Sequence, residues 1–477
     1  MATSGTISSA GIGSGLDVNS IVSKLMALEQ GPLTRLQDKI SSYEAKISAL
    51  GGIKSSLSSM QSAISGLAFG SSFQATTVSS SDTSIVQASV SSGGIPGNHS
   101  ITVSKLAQSQ TLVATRQADT TTAIGSGTST TLTIDLGTTS GSTFTTNGSG
   151  PYTVTIDSTN NSLGGIRDAI NAANTGVTAS IVNDGNATNP YRLVLSSAST
   201  GADQSMQIKV SGDATLSTLL TYDPVTTTKN LTETVTAQDA SFSVDGLAIT
   251  KSSNTVTDVI NGVTLNLTGA APLTPVTVSV AQDTNSIKDS INAFVKNYND
   301  LVQQIKTQTD SGVSSGKAGA LASDSLTRYI ESSINAEINT APTSVTGSYK
   351  SLTDIGITFQ QDGTLAVDDA TLTTALQSDS ANVQQLFSAT DGYGTRLYSV
   401  LSGLANVGGT IDSRTTSYNS YIQDLNNQTV SVQSSLADTE KRLRAQFTSL
   451  DVLVGQMNVT SNYLTSALAG LGNIKTG

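Results

Sequence analysis

The stretch LTRLQDKISSYEAKISALGGIKSSLSSMQSAISGL (33–67) decides the fold, because apolar residues recur along it every three or four positions. That spacing places them on one face of an α-helix. The heptad pattern loses one residue between Leu50 and Ile53. Gly51 and Gly52 lie at this point, where a local change of helix winding would cost least. The stretch therefore predicts a long helix with one apolar stripe.

A shorter amphipathic segment, residues 18–28, precedes this helix. Asp17 or Asn19 is suited to cap its start, because a short polar side chain can accept hydrogen bonds from the free N–H groups of the first turn. The Gly31-Pro32 pair is expected to end it, since proline clashes with the preceding helical turn.

The C-terminal end carries a second long repeat, in which core-type positions over 418–468 follow steps of four and three. It predicts a helix over 411–468 with a length on the order of 85 Å. Such a helix must pair along its length, so we expect the two chain ends to form one antiparallel stalk. Thr429, Thr439 and Ser461 weaken the stripe. The stalk ends are therefore expected to be flexible in the monomer and to order on assembly.

Between the helical ends, residues 75–284 have the pattern of β-structure. Thr and Val alternate with polar residues, as in half-buried antiparallel strands. The stretch 111–230 is interpreted as a nested insertion, because the Thr-rich segments 119–123 and 225–229 resemble linkers. Examples of the strand-like runs are SIVQASV (84–90), SITVSKL (100–106), TLTIDL (131–136), YTVTID (152–157), TASIVND (178–184), YRLVLSS (191–197), MQIKVSG (206–212), ASFSVDG (240–246), GVTLNLTG (262–269) and VTVSVAQ (276–282).

The pattern becomes helical again after residue 285. Apolar residues over 287–305 step by four and three, and a looser stripe follows over 326–338. Two strand-like runs flank Asp362-Gly363 in ITFQQDGTLAV (357–367), which is a strong hairpin signal.

The sequence therefore predicts an α+β, discontinuous multidomain chain. Terminal helices form a coiled-coil-like stalk or leg, and antiparallel β-rich head domains are inserted in the middle. The predicted divisions are terminal helical segments 1–40 and 415–477, a helical leg domain with a small β-hairpin at 41–75 and 285–414, a first β head domain at 76–110 and 231–284, and a second, nested β head domain at 111–230.

Composition excludes several classes of partner. The net charge is -11 and the pI is about 4.5, so the chain should repel nucleic acid and anionic lipid surfaces. No apolar run approaches the ~20 residues of a membrane-spanning helix, and we expect no membrane insertion. The N-terminal residues lack the basic segment and apolar core of a cleaved signal peptide.

Candidates for catalysis are few, since the chain has one histidine, His99, and no cysteine. A lone histidine in a turn before a strand cannot supply a nucleophile relay or a His-rich zinc site. The glycines of 11–15 follow no buried strand, and GVSSGK (312–317) is too short for a phosphate loop. Asp368-Asp369 is interpreted as a helix cap. We predict no catalytic residue, no cofactor and no metal site.

Five segments of the sequence resemble parts of one known family. They are GIGSGLDVNSIVSKLMALEQGPLTRL (11–36), PGNHSITVSKLAQSQ (96–110), SLGGIRDAINAANTGVTASIVNDG (162–185), SLTDIGITFQQDGTLAVDDATLTTAL (351–376) and QFTSLDVLVGQMNVTSNYL (446–464). In that order they resemble the N-terminus, the first β-domain, the IN module shared with flagellins, the second helical domain and the C-terminus of the bacterial flagellar filament cap protein FliD, or flagellar hook-associated protein 2, family.

The resemblance implies a structural protein and not an enzyme. Subunits form a ring-shaped homo-oligomer at the filament tip, outside the cell, and the helical legs reach flagellin. The cap promotes flagellin insertion and folding, prevents its loss and is needed for filament elongation and motility. Other implied partners are the hook-associated junction proteins, an export chaperone and the flagellar type III export apparatus, which would export the chain without a cleaved signal peptide.

Assembly or filament contacts are expected from apolar residues of the terminal helices, with ordinary helix packing as an equal alternative. These residues are Leu25, Leu28, Leu33, Leu36, Phe447, Leu450, Met457, Tyr463 and Leu464. Two other functions stay open at this point. One is another axial protein of the flagellum, a flagellin or a hook–filament junction protein, and the other is an adhesin that binds host mucin or glycans through the β heads.

Overall fold

The computed structural model describes residues 15, 17–91, 93–312, 316 and 318–472. The chain divides into two compact units. The helical unit comprises the described residues of Met1–Ser72 and Ile287–Gly477, and the β unit comprises those of Phe73–Ser286. The α-helices of the two units together are α1 (Val18–Glu29), α2 (Gly31–Ala68), α3 (Leu163–Ala172), α4 (Ala214–Leu220), α5 (Thr284–Thr309), α6 (Ser325–Asn339), α7 (Asp369–Ser388), α8 (Tyr393–Ala405) and α9 (Thr410–Gly472).

The break between α1 and α2 follows the local sequence. The Asp17 carboxylate accepts a hydrogen bond from the Ser20 N–H at 3.0 Å and so caps α1. Gln30 forms the turn after α1, and Pro32 lies in the first turn of α2, where its missing N–H has no helical partner to lose. The predicted Asp17 cap and the end of α1 are confirmed.

Helix α2 is continuous through Gly51 and Gly52, so the predicted change of winding does not interrupt it. A Cβ at Gly52 would lie 2.7 Å from Nε2 of Gln304 in α5. The missing Cβ at Gly52 therefore leaves room for the Gln304 side chain beside α2. From Leu50 onward α2 packs against α7, α8 and α9, and the stripe is fully buried at Leu50, Ile53, Leu57, Met60, Ile64 and Leu67.

Helix α9 runs antiparallel to α1 and α2. Lys54 of α2 forms an ion pair with Asp412 near the start of α9. Asn19 of α1 accepts a hydrogen bond from Arg444, farther along α9, at 2.8 Å. Residue numbers thus rise in one partner as they fall in the other, and the predicted antiparallel pairing of the two chain ends is confirmed.

A small hairpin is part of the helical unit. Its two strands, Ile357–Phe359 and Leu365–Val367, pair antiparallel around Asp362-Gly363, as predicted, and Asp368 caps α7 through the N–H groups of Ala370 and Thr371. The strands are β1 (Thr76–Ser80), β2 (Val86–Val90), β3 (Gly97–Lys105), β4 (Thr111–Val113), β5 (Thr130–Ser140), β6 (Thr143–Thr146), β7 (Tyr152–Ile156), β8 (Val177–Asn183), β9 (Tyr191–Ser197), β10 (Ser205–Ser211), β11 (Thr232–Val235), β12 (Ala240–Val244), β13 (Leu247–Lys251), β14 (Thr255–Ile260), β15 (Val263–Leu267), β16 (Val276–Gln282), β17 (Ile357–Phe359) and β18 (Leu365–Val367).

The β unit contains two hydrophobic cores. The first lies between the sheets β1-β16-β3-β12-β13 and β14-β15-β2 and includes Ile101, Phe242 and Leu265. The second lies between the sheets β10-β5-β6, with β7 beside β5, and β11-β4-β9-β8, and it also buries α3 and α4. Every strand pair recorded in this unit is antiparallel, as the alternating pattern predicts.

The interpretation of the Thr-rich segments 119–123 and 225–229 as linkers was wrong. The Asp119 carboxylate accepts hydrogen bonds from the Thr122 hydroxyl and from the N–H groups of Thr122 and Thr121, which closes a tight turn and lowers the pKa of the Asp119 carboxyl. The segment 225–229 is the turn between Tyr222 and Lys229, which form a β-bridge. Threonine hydroxyls and N–H groups satisfy local acceptors here, so the same composition produces ordered turns.

Candidate functional site: the apolar faces of the terminal helices

Helix α1 binds α9 through a small apolar core. Val18, Val22 and Met26 are spaced by four residues, lie on one face of α1 and are buried. Leu436, Leu443 and Phe447 of α9 pack against them and are partly buried. The contact therefore uses one face of α1 and leaves its opposite face free of α9.

Two of the predicted contact residues lie elsewhere on α1. Leu28 points away from the buried line and is 80% exposed, whereas Leu25, seven residues after Val18, lies at the edge of that line and is 37% exposed. Leu33 and Leu36, at the start of α2, are half-buried. The structure thus does not gather these leucines into one cluster.

Phe447 is the last described α9 residue of the core shared with α1, and the apolar side chains after it face outward. Leu450 is exposed, Met457 is 64% exposed, Tyr463 is 73% exposed and Leu464 is also exposed. The chain has no charged residue between Asp451 and the end of α9. Contiguous apolar surface of this kind marks an interaction site on soluble proteins.

Several of these residues share one face of α9, which we call the distal face. Leu453, Met457, Leu464 and Leu468 follow one another at intervals of four or seven residues and lie together, with Gln456, Thr460, Ser461 and Thr465 between them. The face offers apolar contact and neutral hydrogen-bonding groups. A partner for it must present apolar surface, and the contact should depend little on salt.

Aromatic rings join α2 to α9 near the base of this long helix. The ring centroid of Tyr43 lies 5.3 Å from that of Tyr418 and 5.6 Å from that of Tyr421. The Lys46 ammonium lies 5.5 Å from the Tyr43 ring and 5.6 Å from the Tyr418 ring. Rings and cation at these distances attract one another, so they tie α9 to α2 at this level.

A buried carboxylate fixes the same point from α6. The Asp324 side chain is 2% exposed and accepts hydrogen bonds from the Tyr418 hydroxyl and the Leu326 N–H. Arg414 pairs with it at 3.4 Å. Burial and the neighbouring Asp324 charge raise the pKa of Tyr418, so its hydroxyl stays protonated and keeps donating. A buried charge that is paired in this way orients the helices it joins.

The residues predicted from the sequence thus fall into different environments. Phe447 packs against α1, whereas Leu28, Leu450, Met457, Tyr463 and Leu464 are exposed. The buried line Val18, Val22 and Met26 was not singled out as a contact, although its four-residue spacing was visible in the sequence. Asp324 was missed because its partner Tyr418 is 94 residues away.

Other chemistry is sparse in the described chain. Within the described ranges no group of three His, Asp or Glu side chains could hold a metal ion. Nδ1 of His99 lies 2.8 Å from Oδ2 of Asp245, and this hydrogen bond lowers the pKa of the Asp245 carboxyl. The described helices also include none that is long and apolar enough to cross a lipid bilayer.

The fold belongs to the class in which helices at both ends of the chain flank an inserted antiparallel β unit. The family profiles that match are the flagellar hook-associated protein 2 N-terminus over residues 14–110, its C-terminus over 237–459, and the flagellin hook IN motif over 127–199. The chain belongs to the flagellar hook-associated protein 2 family.

Relatives of that name align over nearly the whole chain. The protein of Escherichia coli K12 is 36% identical over 98% of this chain and 100% of its own length. That of Salmonella typhimurium is 34% identical over 98% of this chain and 99% of its own. The crystal structure of the flagellar cap protein FliD D1-D2-D3 domains from Escherichia coli matches with a TM-score of 0.60 and 35% identity, over 78% of this chain and 99% of that one.

Proposed function

We propose that the protein is the structural cap at the distal tip of the bacterial flagellar filament. It promotes insertion and folding of exported flagellin and prevents its loss, and filament elongation and motility depend on it. The uncharged, exposed distal face of α9 carries this proposal, because it is an apolar surface that calls for a protein partner. The relationship to an Escherichia coli protein described as a flagellar cap supports it.

The mechanism that fits these surfaces is mechanical and needs no catalytic residue. The β heads assemble with those of other copies into a ring, and the terminal helices form legs that reach flagellin. The leg makes apolar contact without charge through Leu450, Met457, Tyr463 and Leu464. It can therefore leave one groove between flagellin subunits and enter an equivalent one. Phe447 and α1 keep the leg paired below this region.

The domain boundaries predicted from the sequence become part of this proposal. The terminal helical segments 1–40 and 415–477 form the end of the leg that reaches flagellin, and the helical leg domain of 41–75 and 285–414 holds them. The two β cores support heads at 76–110 with 231–284 and at 111–230. The remaining partners are hook-associated junction proteins, an export chaperone and the type III export apparatus, which delivers the chain outside the cell.

A matched pair of substitutions on α9 tests the proposal. Met457→Asp places a charge on the distal face. The control, Val430→Asp, places a charge elsewhere on the same helix, and the two side chains are equally exposed, at 64% for Met457 and 65% for Val430. A buried unpaired charge opposes docking. We expect Met457→Asp to remove the protein from filament tips and to abolish swimming, and Val430→Asp to retain both. Labelled protein imaged on filament ends gives the readout.

Equal tip occupancy by the two variants would contradict the role of the distal face. Absence of the unmodified protein from filament tips would contradict the cap function itself.

A further inference from the structure

Asparagine followed directly by glycine occurs twice in the chain, at Asn147-Gly148 and Asn261-Gly262. Such a pair can react within itself, because glycine has no side chain to keep its backbone nitrogen away from the amide carbon of the asparagine side chain. Both pairs lie in the β unit outside its strands, the first between β6 and β7 and the second between β14 and β15. The two pairs differ in how the structure holds the atoms that would react.

Three hydrogen bonds hold the reacting groups of the Asn147 pair. Nδ2 of Asn147 donates to the Asp203 carbonyl at 3.0 Å, and Oδ1 accepts from the Ser149 N–H at 3.0 Å. The Gly148 N–H, whose nitrogen would have to attack, donates to Oγ1 of Thr146 at 3.2 Å. Each such bond contributes about 0.5–1.5 kcal/mol. Breaking them adds to the barrier of the reaction, so this pair is protected.

The Asn261 pair leaves the same groups free. The Asn261 side chain is exposed, and no described residue forms a hydrogen bond with its amide or with the Gly262 N–H. The Gly262 carbonyl, in contrast, accepts from the Ser91 N–H at 2.8 Å, and Ile260 pairs with Val263 across the turn. The turn is therefore fixed while its reactive atoms are unprotected.

We propose that Asn261 is a site of spontaneous deamidation, a reaction that needs only hydroxide and water. Hydroxide removes the proton of the Gly262 N–H, and the nitrogen donates its electron pair to Cγ of Asn261. A C–N bond forms, the bond between Cγ and Nδ2 breaks, and the amide nitrogen leaves as ammonia with a proton from water. Water then opens the five-membered imide at one of its two carbonyls, which gives aspartate or isoaspartate. The inference goes beyond the cap function and does not depend on it.

Isoaspartate at this position adds one carbon atom to the backbone of the turn. The turn between β14 and β15 has two residues, and loop length determines the turn geometry of a hairpin. The longer backbone should therefore displace the Gly262 carbonyl from the Ser91 N–H. Because Ile260 and Val263 beside the turn are buried, this change should loosen the edge of the first β core.

Ageing of the folded full-length chain in mildly alkaline buffer tests the site. Trypsin cuts after Lys and Arg and releases residues 117–167 and 252–288, each with one of the two pairs. Mass spectrometry with fragment sequencing then follows deamidation at Asn147 and Asn261 separately. We expect Asn261 to react at least about tenfold faster, because the hydrogen bonds that protect Asn147 together raise its barrier by more than 1.4 kcal/mol. In urea the two should react at similar rates, since unfolding removes that protection.

Matched variants identify the isoaspartate. A methyltransferase specific for isoaspartate, supplied with a labelled methyl donor, should label the aged unmodified chain and the Asn147→Gln variant equally. Asn261→Gln should lose most of the label, because glutamine would have to form a six-membered ring, which closes far more slowly. Equal deamidation of Asn147 and Asn261 in the folded chain would overturn the proposal. Undiminished labelling of Asn261→Gln would overturn it as well.

Hydrogen exchange tests the effect on the turn. The aged chain, enriched in isoaspartate, is compared with Asn261→Asp, which carries the same charge on a backbone of normal length. The Ser91 amide should exchange at least about fivefold faster in the aged chain, as expected from loss of one hydrogen bond. Equal exchange of this amide in the two proteins would refute the loosening of the hairpin.

Discussion

The second half of α2 and the last part of α9 have similar apolar repeats, but the first is buried and the second is exposed. Between Leu50 and Leu67 the α2 stripe is completely buried, whereas between Val452 and Leu468 the large apolar side chains of α9 are mostly exposed. Helices α7, α8 and α9 cover the first stripe. The stripe of α9 lies beyond Phe447, the last α9 residue that packs against α1. The apolar repeat in the sequence therefore indicates that a helix has an apolar face. Only the folded structure shows whether the same chain buries that face.

The largest expected effect separates these two regions by stability. Leu57→Ala removes a fully buried side chain of α2 and should lower the free energy of unfolding by about 2–5 kcal/mol, because it leaves a cavity between packed helices. Met457→Ala, on the exposed face, should change it by less than about 0.5 kcal/mol. Urea unfolding of the full chain, followed by circular dichroism, measures both.

A comparable loss in the two variants would break the comparison, because it would mean that Met457 is packed within the single chain.

A smaller effect is expected at the base of α9, far along the helix from its exposed distal face. Tyr418→Phe removes the hydroxyl that donates to the buried Asp324 carboxylate and should cost about 1–3 kcal/mol. The matched control is Tyr421→Phe, a few residues along the same helix at a position that is about half exposed, for which we expect less than about 0.5 kcal/mol. Thermal unfolding of each variant provides the readout.

Stability equal to the unmodified chain in Tyr418→Phe would show that α9 is held at this level by ring packing alone. In that case the distinction between a fixed base and a free distal face would rest on apolar contacts only.

Much of the fold was predictable, because its elements follow local rules. The strand-like runs, the hairpin at Asp362-Gly363 and the long helices at both ends match the structure. Helix α3 was not predicted, since Gly164 and Gly165 lower helix propensity, yet the Ser162 hydroxyl caps it. The short strands β4 and β11 were also missed, because they are defined by pairing across more than 100 residues.

The candidate site was predictable only in part, for a different physical reason. The sequence identified apolar positions on the terminal helices, and the structure separates Phe447, which packs on α1, from Met457 and Tyr463, which are exposed. Which partner covers the exposed residues depends on a second molecule. Their role as assembly contacts therefore stays a prediction.

Hydrogen exchange of the full chain, free and assembled on filament tips, tests the central claim most directly. If the distal face docks on a partner, the backbone amides of residues 452–472 should exchange at least about tenfold more slowly after assembly. The amides of residues 50–67, already buried in the free chain, should not change. Equal exchange of residues 452–472 in both states would contradict the account, because it would leave this apolar face uncovered where it is proposed to act.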